Sequence, residues 1–299
     1  MFTGGSGLLA VNWALAIAND YDVVLGLHKR KISLPGTEAI FIDMETSSAF
    51  VKILETVQPD IVIHCAGLAN VEACEADPVN AYHSNVDLSV TVAQSCKELG
   101  ITFVYICTDH LFSGEHPLVS EEEKTSPVNQ YGKTKLEAEQ RVLAISDRNL
   151  SIRTNFYGWG PSYRQSFSDF IIRNTSNGNP VFLFDDFYYT PILIEELAGT
   201  VMALIDKTAA GIFNVAGNER ISKYEFGVRL ARQFQLDSGL IKAAKFVERK
   251  DLVKRPVDLS LSVKKVTTFL NRSVGDIDKN TRNLYMQKQN GFYTIIENA

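Results

Sequence analysis

The sequence is poor in the residues that build metal sites and disulfide frameworks. Its four cysteines, Cys65, Cys74, Cys96 and Cys107, form no CxxC pair and fall into no ligand spacing with the five histidines. Neither a metal centre nor a cross-linked scaffold is expected, and the thiols are read as reduced. Cys65 and Cys107 close apolar strand-like runs, where a free thiol behaves as a small hydrophobe. Long apolar runs are missing as well. The longest are strand-sized and broken by charge, far short of the roughly 20 residues a membrane-spanning helix needs. No signal-peptide pattern opens the chain, so a cytoplasmic location is expected. There is no excess of positive charge either: 30 Lys and Arg stand against 35 Asp and Glu, a formal charge of -5. No global basic field recruits nucleic acid or an anionic membrane, and any anion site must be local.

What is present is an alternation. A hydrophobic fraction of 45% over 299 residues suffices for one large domain or two closely joined ones. Strand-like runs at Tyr21 to Leu27, Ala39 to Ile42, Asp60 to Cys65, Phe103 to Thr108 and Leu150 to Thr154 alternate with helix-period segments. Those segments are Leu8 to Asn19, Ser47 to Val57, Pro78 to Leu99, opened by a capping Asp77, and Asn129 to Ile145. The pattern predicts an α/β fold, a doubly wound parallel sheet with helices on both faces, over residues 1–154. In residues 155–299 the alternation weakens and Gly, Pro, Asn and aromatics accumulate. Helices are expected near Phe167 to Thr175, Glu195 to Ile205 and Ser222 to Phe234, with a strand at Val181 to Phe184. This half is read as a smaller, mixed substrate-facing lobe that returns some elements to the first. The opening is odd: only Met1 and Phe2 precede Thr3, where a central buried strand of about five residues is expected. Either that first strand is a stub or the chain starts late relative to the natural protein.

Several residues carry chemistry. Thr3-Gly4-Gly5-Ser6-Gly7-Leu8-Leu9-Ala10 opens a helix, with Gly4, Gly7 and Ala10 as its small positions. Such a turn lets backbone approach a pyrophosphate, while the helix start offers unpaired N–H groups and a positive dipole end. His28-Lys29-Arg30-Lys31 stands at the end of the second strand, where an acidic residue would hold ribose hydroxyls. The basic run is either a 2′-phosphate contact or a solvated loop. Asp43 falls where an adenine amino group needs an acceptor, or it caps the helix near Ser47. Thr108 ends a strand, and Tyr131 and Lys135, four apart, share a helix face. An ammonium beside a phenol favours the phenolate, so Lys135 is expected to lower the pKa of Tyr131 and make it a usable acid near neutrality.

These residues, in this order, resemble the extended short-chain dehydrogenase/reductases. The closer likeness is to the dTDP-4-dehydrorhamnose reductases. Cys107-Thr108-Asp109-His110-Leu111-Phe112-Ser113-Gly114 is similar to their Ser-Thr-Asp-Tyr-Val-Phe-Asp-Gly segment, and Pro127 to Leu136 to their helix bearing Tyr and Lys. His64-Cys65-Ala66-Gly67, Asn85-Val86, Arg153-Thr154-Asn155-Phe156 and Arg255-Pro256 add to it, over residues 3–287, leaving Gly291 to Ala299 outside. The resemblance implies a Rossmann domain binding NADP(H), with NAD(H) the second choice, and reduction of a 4-keto nucleotide-sugar. It makes Thr108, Tyr131 and Lys135 catalytic. It places Gly4, Gly7, Leu8, His28, Lys29, Arg30, Asp43, Met44, Ala66, Gly67 and Asn85 on the cofactor together with Tyr131 and Lys135, and Thr108, Asp109, Asn155, Phe156 and Arg255 on the substrate. Trp159 and Tyr163 are further candidates for sugar or nucleotide contacts.

The departures from the pattern are Ala10 for the third glycine, His110 for a tyrosine and Ser113 for an aspartate. His110 is either a sugar contact or a partly exposed loop histidine. Relatives of this type pair through their long helices, so a homodimer is expected through Pro78 to Leu99 and the Tyr131 helix. Dehydratases of the extended group show Thr-Asp-Glu, and His110 breaks that pattern. The competing readings are a nucleotide-sugar epimerase and a non-catalytic subunit resembling the methionine adenosyltransferase β subunit, which is similar at Tyr131 to Leu136 and Gly217-Asn218-Glu219.

Overall fold

The computed structural model describes all residues, Met1–Ala299. Six strands of the first half, β1 (Phe2–Thr3), β2 (Val23–Leu27), β3 (Thr37–Phe41), β4 (Ile61–His64), β5 (Thr102–Ile106) and β6 (Leu150–Arg153), lie in one sheet. In the second half come β7 (Phe156–Tyr157), β8 (Val181–Phe184), β9 (Tyr188–Tyr189) and β10 (Ile192–Leu193). After these, β11 (Gly211–Asn214) returns to the edge of the main sheet. The order is β11-β6-β5-β4-β1-β2-β3 and every pairing in it is parallel. The doubly wound fold expected from the alternation is what the chain adopts. The strand order reverses between β1 and β4, and in such sheets a crevice opens beyond the carboxyl ends of the strands at that point.

The central strand is two residues long. Phe2 pairs with Leu25 on one side and Ile63 on the other, and the Thr3 hydroxyl lies 2.7 Å from Nδ1 of the buried His64. Period-two alternation then sorts the sheet's side chains. Ile63, Val104, Ile106 and Ile152 enter a core beneath α1 (Leu8–Ile17), while Val62, Phe103, Tyr105 and Cys107 enter one on the other face. That second core is covered by α2 (Ser47–Val57), α5 (Leu88–Leu99) and α6 (Gln130–Ile145).

The expected long helix from Pro78 to Leu99 is divided. Asp77 does cap its start, accepting from Asn80 N at 3.0 Å, but α4 (Pro78–Tyr82) passes through a wider π-type turn, His83–Asp87, before α5. A further helix ahead of it, α3 (Val71–Ala76), is capped by Asn70. Helix α6, which carries Tyr131 and Lys135, begins where Asn129 accepts from Gly132 N at 2.9 Å.

The second half carries α7 (Phe167–Ser176), α8 (Ile194–Asp206) and α9 (Lys223–Gln233), then α10 (Lys264–Leu270), α11 (Ile277–Gln289) and α12 (Phe292–Glu297). Two-residue β12 (Ile221–Ser222) pairs with β9, and β13 (Ile241–Ala244) with β8. The core under α1 continues into this half through Ile194, Leu197, Phe226 and Leu230 and reaches Ile296 of α12. The four cysteines are free thiols, three of them buried. No helix is long and apolar enough to cross a membrane.

Candidate active site

The glycine turn leaves β1 with Gly4 at φ +66°, where a Cβ would stand 2.8 Å from the backbone of Ala66. Only glycine tolerates both the conformation and that approach. Gly7 N donates to Gly4 O at 2.8 Å and Gly7 becomes the N-cap of α1, which has no side-chain cap and no acid in its first turn. The first N–H groups of α1 and its positive end are therefore left for an anion. Ala10, in the third small position, is fully buried.

A cleft of about 750 Å³ opens beside this turn, floored by Gly4, Gly7 and Gly26 and walled by His28, Arg30, Asp43 and Met44. Lys29 and Lys31, which sequence grouped with them, are exposed and do not line it. Asp43 caps no helix: its Oδ1 accepts from Glu45 N at 2.8 Å, and α2 is capped by Thr46. Tyr163 lies in the outer cleft and does not line the inner one. Its hydroxyl donates to Ser6 O at 2.9 Å, and the Arg30 guanidinium stacks 4.0 Å from its ring centre. Neighbouring Arg164 lines this cleft and the inner one; no strand end or motif flagged it in the sequence. Trp159 is excluded as a ligand contact because it is buried among Phe234 and Tyr293.

An inner cleft of about 130 Å³ continues past Ala66 and Gly67 to Leu8, Tyr131, Lys135 and Phe156. Gly67 packs so closely that a Cβ would meet Asn85 Oδ1 at 2.8 Å. Asn85, on the π-type turn, accepts from Leu68 N at 2.7 Å and donates to Leu68 O and the Thr134 hydroxyl at 3.1 and 3.0 Å. It ties the cleft wall to the helix that carries Tyr131. Just past Cys107, Thr108 is buried; its hydroxyl donates to Asp109 Oδ1 at 3.1 Å and accepts from His110 N at 3.2 Å. Asp109 Oδ2 accepts from Asn155 Nδ2, so Thr108, Asp109 and Asn155 form one buried chain. The imidazole of His110 stands edge-on to Tyr131, ring centres 5.4 Å apart, with its Nδ1 buried and unpartnered. Arg255 is ion-paired with Glu72, which leaves its buried Nε without a partner.

The electrostatics overturn one expectation. Burial pushes the Tyr131 phenol well above its usual value, and a hydrogen bond with Thr108 only partly opposes this. The Lys135 ammonium donates to Ile106 O at 2.8 Å and lies 4.1 Å from the ring centre of Tyr105. Burial also holds the ammonium below its usual range. Asp109 is raised to about 6 by burial, against the pull of Asn155 and Thr108. His110 is lowered to about 3, first by burial and then by the Arg255 and Lys223 charges. The charge of Lys223, which no motif singled out, reaches both groups.

The profile of the RmlD substrate binding domain matches residues 1–285. The chain belongs to that family. Within reach of this RmlD-type chain is the probable low-salt glycan biosynthesis reductase Agl14 of Haloferax volcanii, 26% identical over 268 residues, 88% of this chain and 89% of that protein. Methionine adenosyltransferase 2 subunit beta of Mus musculus is 28% identical over 251 residues, 81% of this chain and 74% of that protein. Among solved structures, the hypothetical dTDP-4-dehydrorhamnose reductase of Sulfolobus tokodaii aligns with a TM-score of 0.80 at 28% identity, covering 93% of this chain and 97% of that one. The Bacillus anthracis dTDP-4-dehydrorhamnose reductase, solved with NADP, aligns at 0.82 and 20% identity over 96% of this chain and 98% of its own, a likeness of fold alone.

Proposed function

We propose that this RmlD-family protein reduces the keto group of a nucleotide-activated sugar with NADPH. The observation that carries this reading is that Tyr131 and Lys135 line the inner cleft, which continues from the glycine turn, with Thr108 against Tyr131. The outer cleft fits a dinucleotide. A bare helix start faces the pyrophosphate position, and Gly4 leaves room for backbone approach. His28, Arg30 and Arg164 offer positive groups for a 2′-phosphate, and Asp43 an acceptor for adenine.

When bound, the reduced nicotinamide supplies the hydride. The chain's own residues govern the proton and the orientation. Tyr131, kept protonated by burial, donates its proton as charge grows on the carbonyl oxygen. Thr108, fixed by Asp109 and the His110 amide, sets the direction of the phenol and of that oxygen. Lys135 has three donors and uses one on Ile106 O, which leaves two for the nicotinamide ribose. The sugar lies against Phe156, Asp109 and Asn155, and Arg255 faces its diphosphate.

The test is reduction of a panel of dTDP-, UDP-, GDP- and CDP-4-keto sugars, read by nicotinamide absorbance. Tyr131→Phe is expected to lose a factor of about 10² to 10⁴ in rate while binding NADPH as before. Parent-level turnover by Tyr131→Phe would sink the mechanism. Arg30→Ala is expected to narrow the preference for NADPH over NADH in titration calorimetry. A second reading, a non-catalytic NADP-binding subunit, is favoured by the Lys135 contact with Ile106 O and by the 28% identity to the methionine adenosyltransferase subunit. Reduction of no sugar in the panel would put it first.

A further inference from the structure

The outer and inner clefts share a passage. The residues that line both are Gly7, Cys65, Ala66, Gly67, Leu68 and Arg164. The first five stand at the start of α1 and just after β4, while Arg164 reaches over from the loop between β7 and α7. Arg30 lines the outer cleft alone and Lys135 the inner one alone, and the acids Asp43 and Glu45 line only the outer. Arg164 is therefore the one charged side chain of the passage. It is exposed, and its guanidinium is bonded to no group of the chain.

An arginine without a partner is ordinarily a solvated surface group, but the backbone that carries this one is fixed. Asp169 Oδ2 accepts from Gly160 N at 2.6 Å and from Ser166 N at 3.0 Å, which closes the base of the loop. Arg164 N donates to Pro161 O at 2.8 Å, and a Cβ on Gly160 would run into Arg164 O. At the tip, the Tyr163 hydroxyl donates to Ser6 O at 2.9 Å and ties the loop to the glycine turn. The residue after each end of this tether, Arg164 and Gly7, lines the passage.

A dinucleotide that runs from the outer cleft to Tyr131 and Lys135 has its middle in the passage, and the middle of a dinucleotide is its pyrophosphate. We propose that Arg164 binds this pyrophosphate, as a second jaw opposed to the uncapped start of α1 at Gly7. A guanidinium presents paired donors that match two phosphate oxygens, and a loop already held in place loses little freedom on binding. The proposal deepens the reductase reading and rests on it for the identity of the ligand. It also separates two arginines: Arg30 acts on the 2′-phosphate, which NADPH alone carries, and Arg164 on a group that NADPH and NADH share.

The experiment titrates the protein with NADPH and with NADH by calorimetry, comparing the parent with Arg164→Met and Arg164→Glu. Arg164→Met is expected to weaken both nucleotides by the same factor, about tenfold or more, as loss of a charge-assisted hydrogen bond does. Arg164→Glu is expected to weaken both further, because it sets a like charge against the phosphates. The urea midpoint of Arg164→Met is expected to equal the parent's, since nothing in the chain is bonded to that side chain. Parent-like binding of both nucleotides by Arg164→Met overturns the proposal, and so does a loss confined to NADPH, which would assign Arg164 to the 2′-phosphate instead. Binding that depends on Arg164 in a protein that reduces no keto sugar keeps the clamp and defeats the reductase reading. Reduction of a keto sugar by an Arg164→Met variant with parent-like nucleotide affinity does the reverse. No binding of either nucleotide to the parent defeats both.

Discussion

A carboxyl group placed where water cannot reach it makes stability depend on pH in an unusual direction, and Asp109 is such a group. It is 2% exposed, and burial raises its pKa from 3.8 to about 6. The native state therefore holds this proton more tightly than the unfolded chain does. The resulting destabilisation is absent below pH 3.8, grows as pH rises through 6, and reaches about 3 kcal/mol above it. Asp109→Asn removes it. The melting temperature of that variant relative to the parent is expected to be more favourable at pH 7.5 than at pH 4.5, measured by scanning calorimetry. A difference that does not change with pH would show that Asp109 titrates normally. At this scale the sequence identified Thr108, Tyr131 and Lys135 by spacing, and the structure brings them together. What it could not show was where the Lys135 ammonium points. That depends on Ile106 O, a backbone atom on a strand far back in the chain, and spacing along a helix carries no information about it.

Between elements, one buried pair couples the last strand of the first half to the helix bearing Tyr131. Arg153 on β6 reaches Glu139 on α6 at 2.5 Å, with side chains 3% and 1% exposed, and the Ser151 hydroxyl donates to the same carboxylate at 2.7 Å. Arg153→Met leaves Glu139 charged, buried and without its partner, a change that costs about 3 to 5 kcal/mol. Chemical denaturation is expected to show that loss; a change under about 1 kcal/mol would mean that water reaches Glu139. Element types were legible where the pattern was strong, since the capping residues Asp77 and Asn129 and the period-two runs each act locally. The π-type turn at His83–Asp87 was not; Asn85 within it bonds to Leu68 and Thr134, contacts far outside any sequence window. β11 was missed for a related reason: four residues, Gly211–Asn214, become a strand only because β6 offers them an open edge.

For the whole molecule, acid is expected to be destabilising. His64 and His110 are both lowered to about 3, so between pH 6.5 and 3 the unfolded chain binds protons that the native one refuses. Stability is intact above pH 6.5 and falls below it, by about 2 kcal/mol per histidine at pH 5, with Asp109 offsetting part of the loss. The urea midpoint is expected to drop from pH 7.5 to pH 5, and to drop less in His110→Gln. Equal drops in the two proteins would contradict the buried neutral imidazole.

The last helix also bears on the outer cleft. Ser162 N donates to Glu297 O at 3.2 Å, and Glu297 holds Arg173 and Tyr293 at 2.8 and 2.7 Å. Ser162 adjoins Tyr163 and Arg164, which wall the outer cleft. A chain lacking residues 292–299 is expected to fold and to bind NADPH more weakly; unchanged affinity in calorimetry would show that the loop stands unaided. The glycine turn and Glu297 stand far apart along the chain, so the wall of the outer cleft is a joint between distant segments, and a perturbation of α12 is felt at a cleft whose floor it never touches.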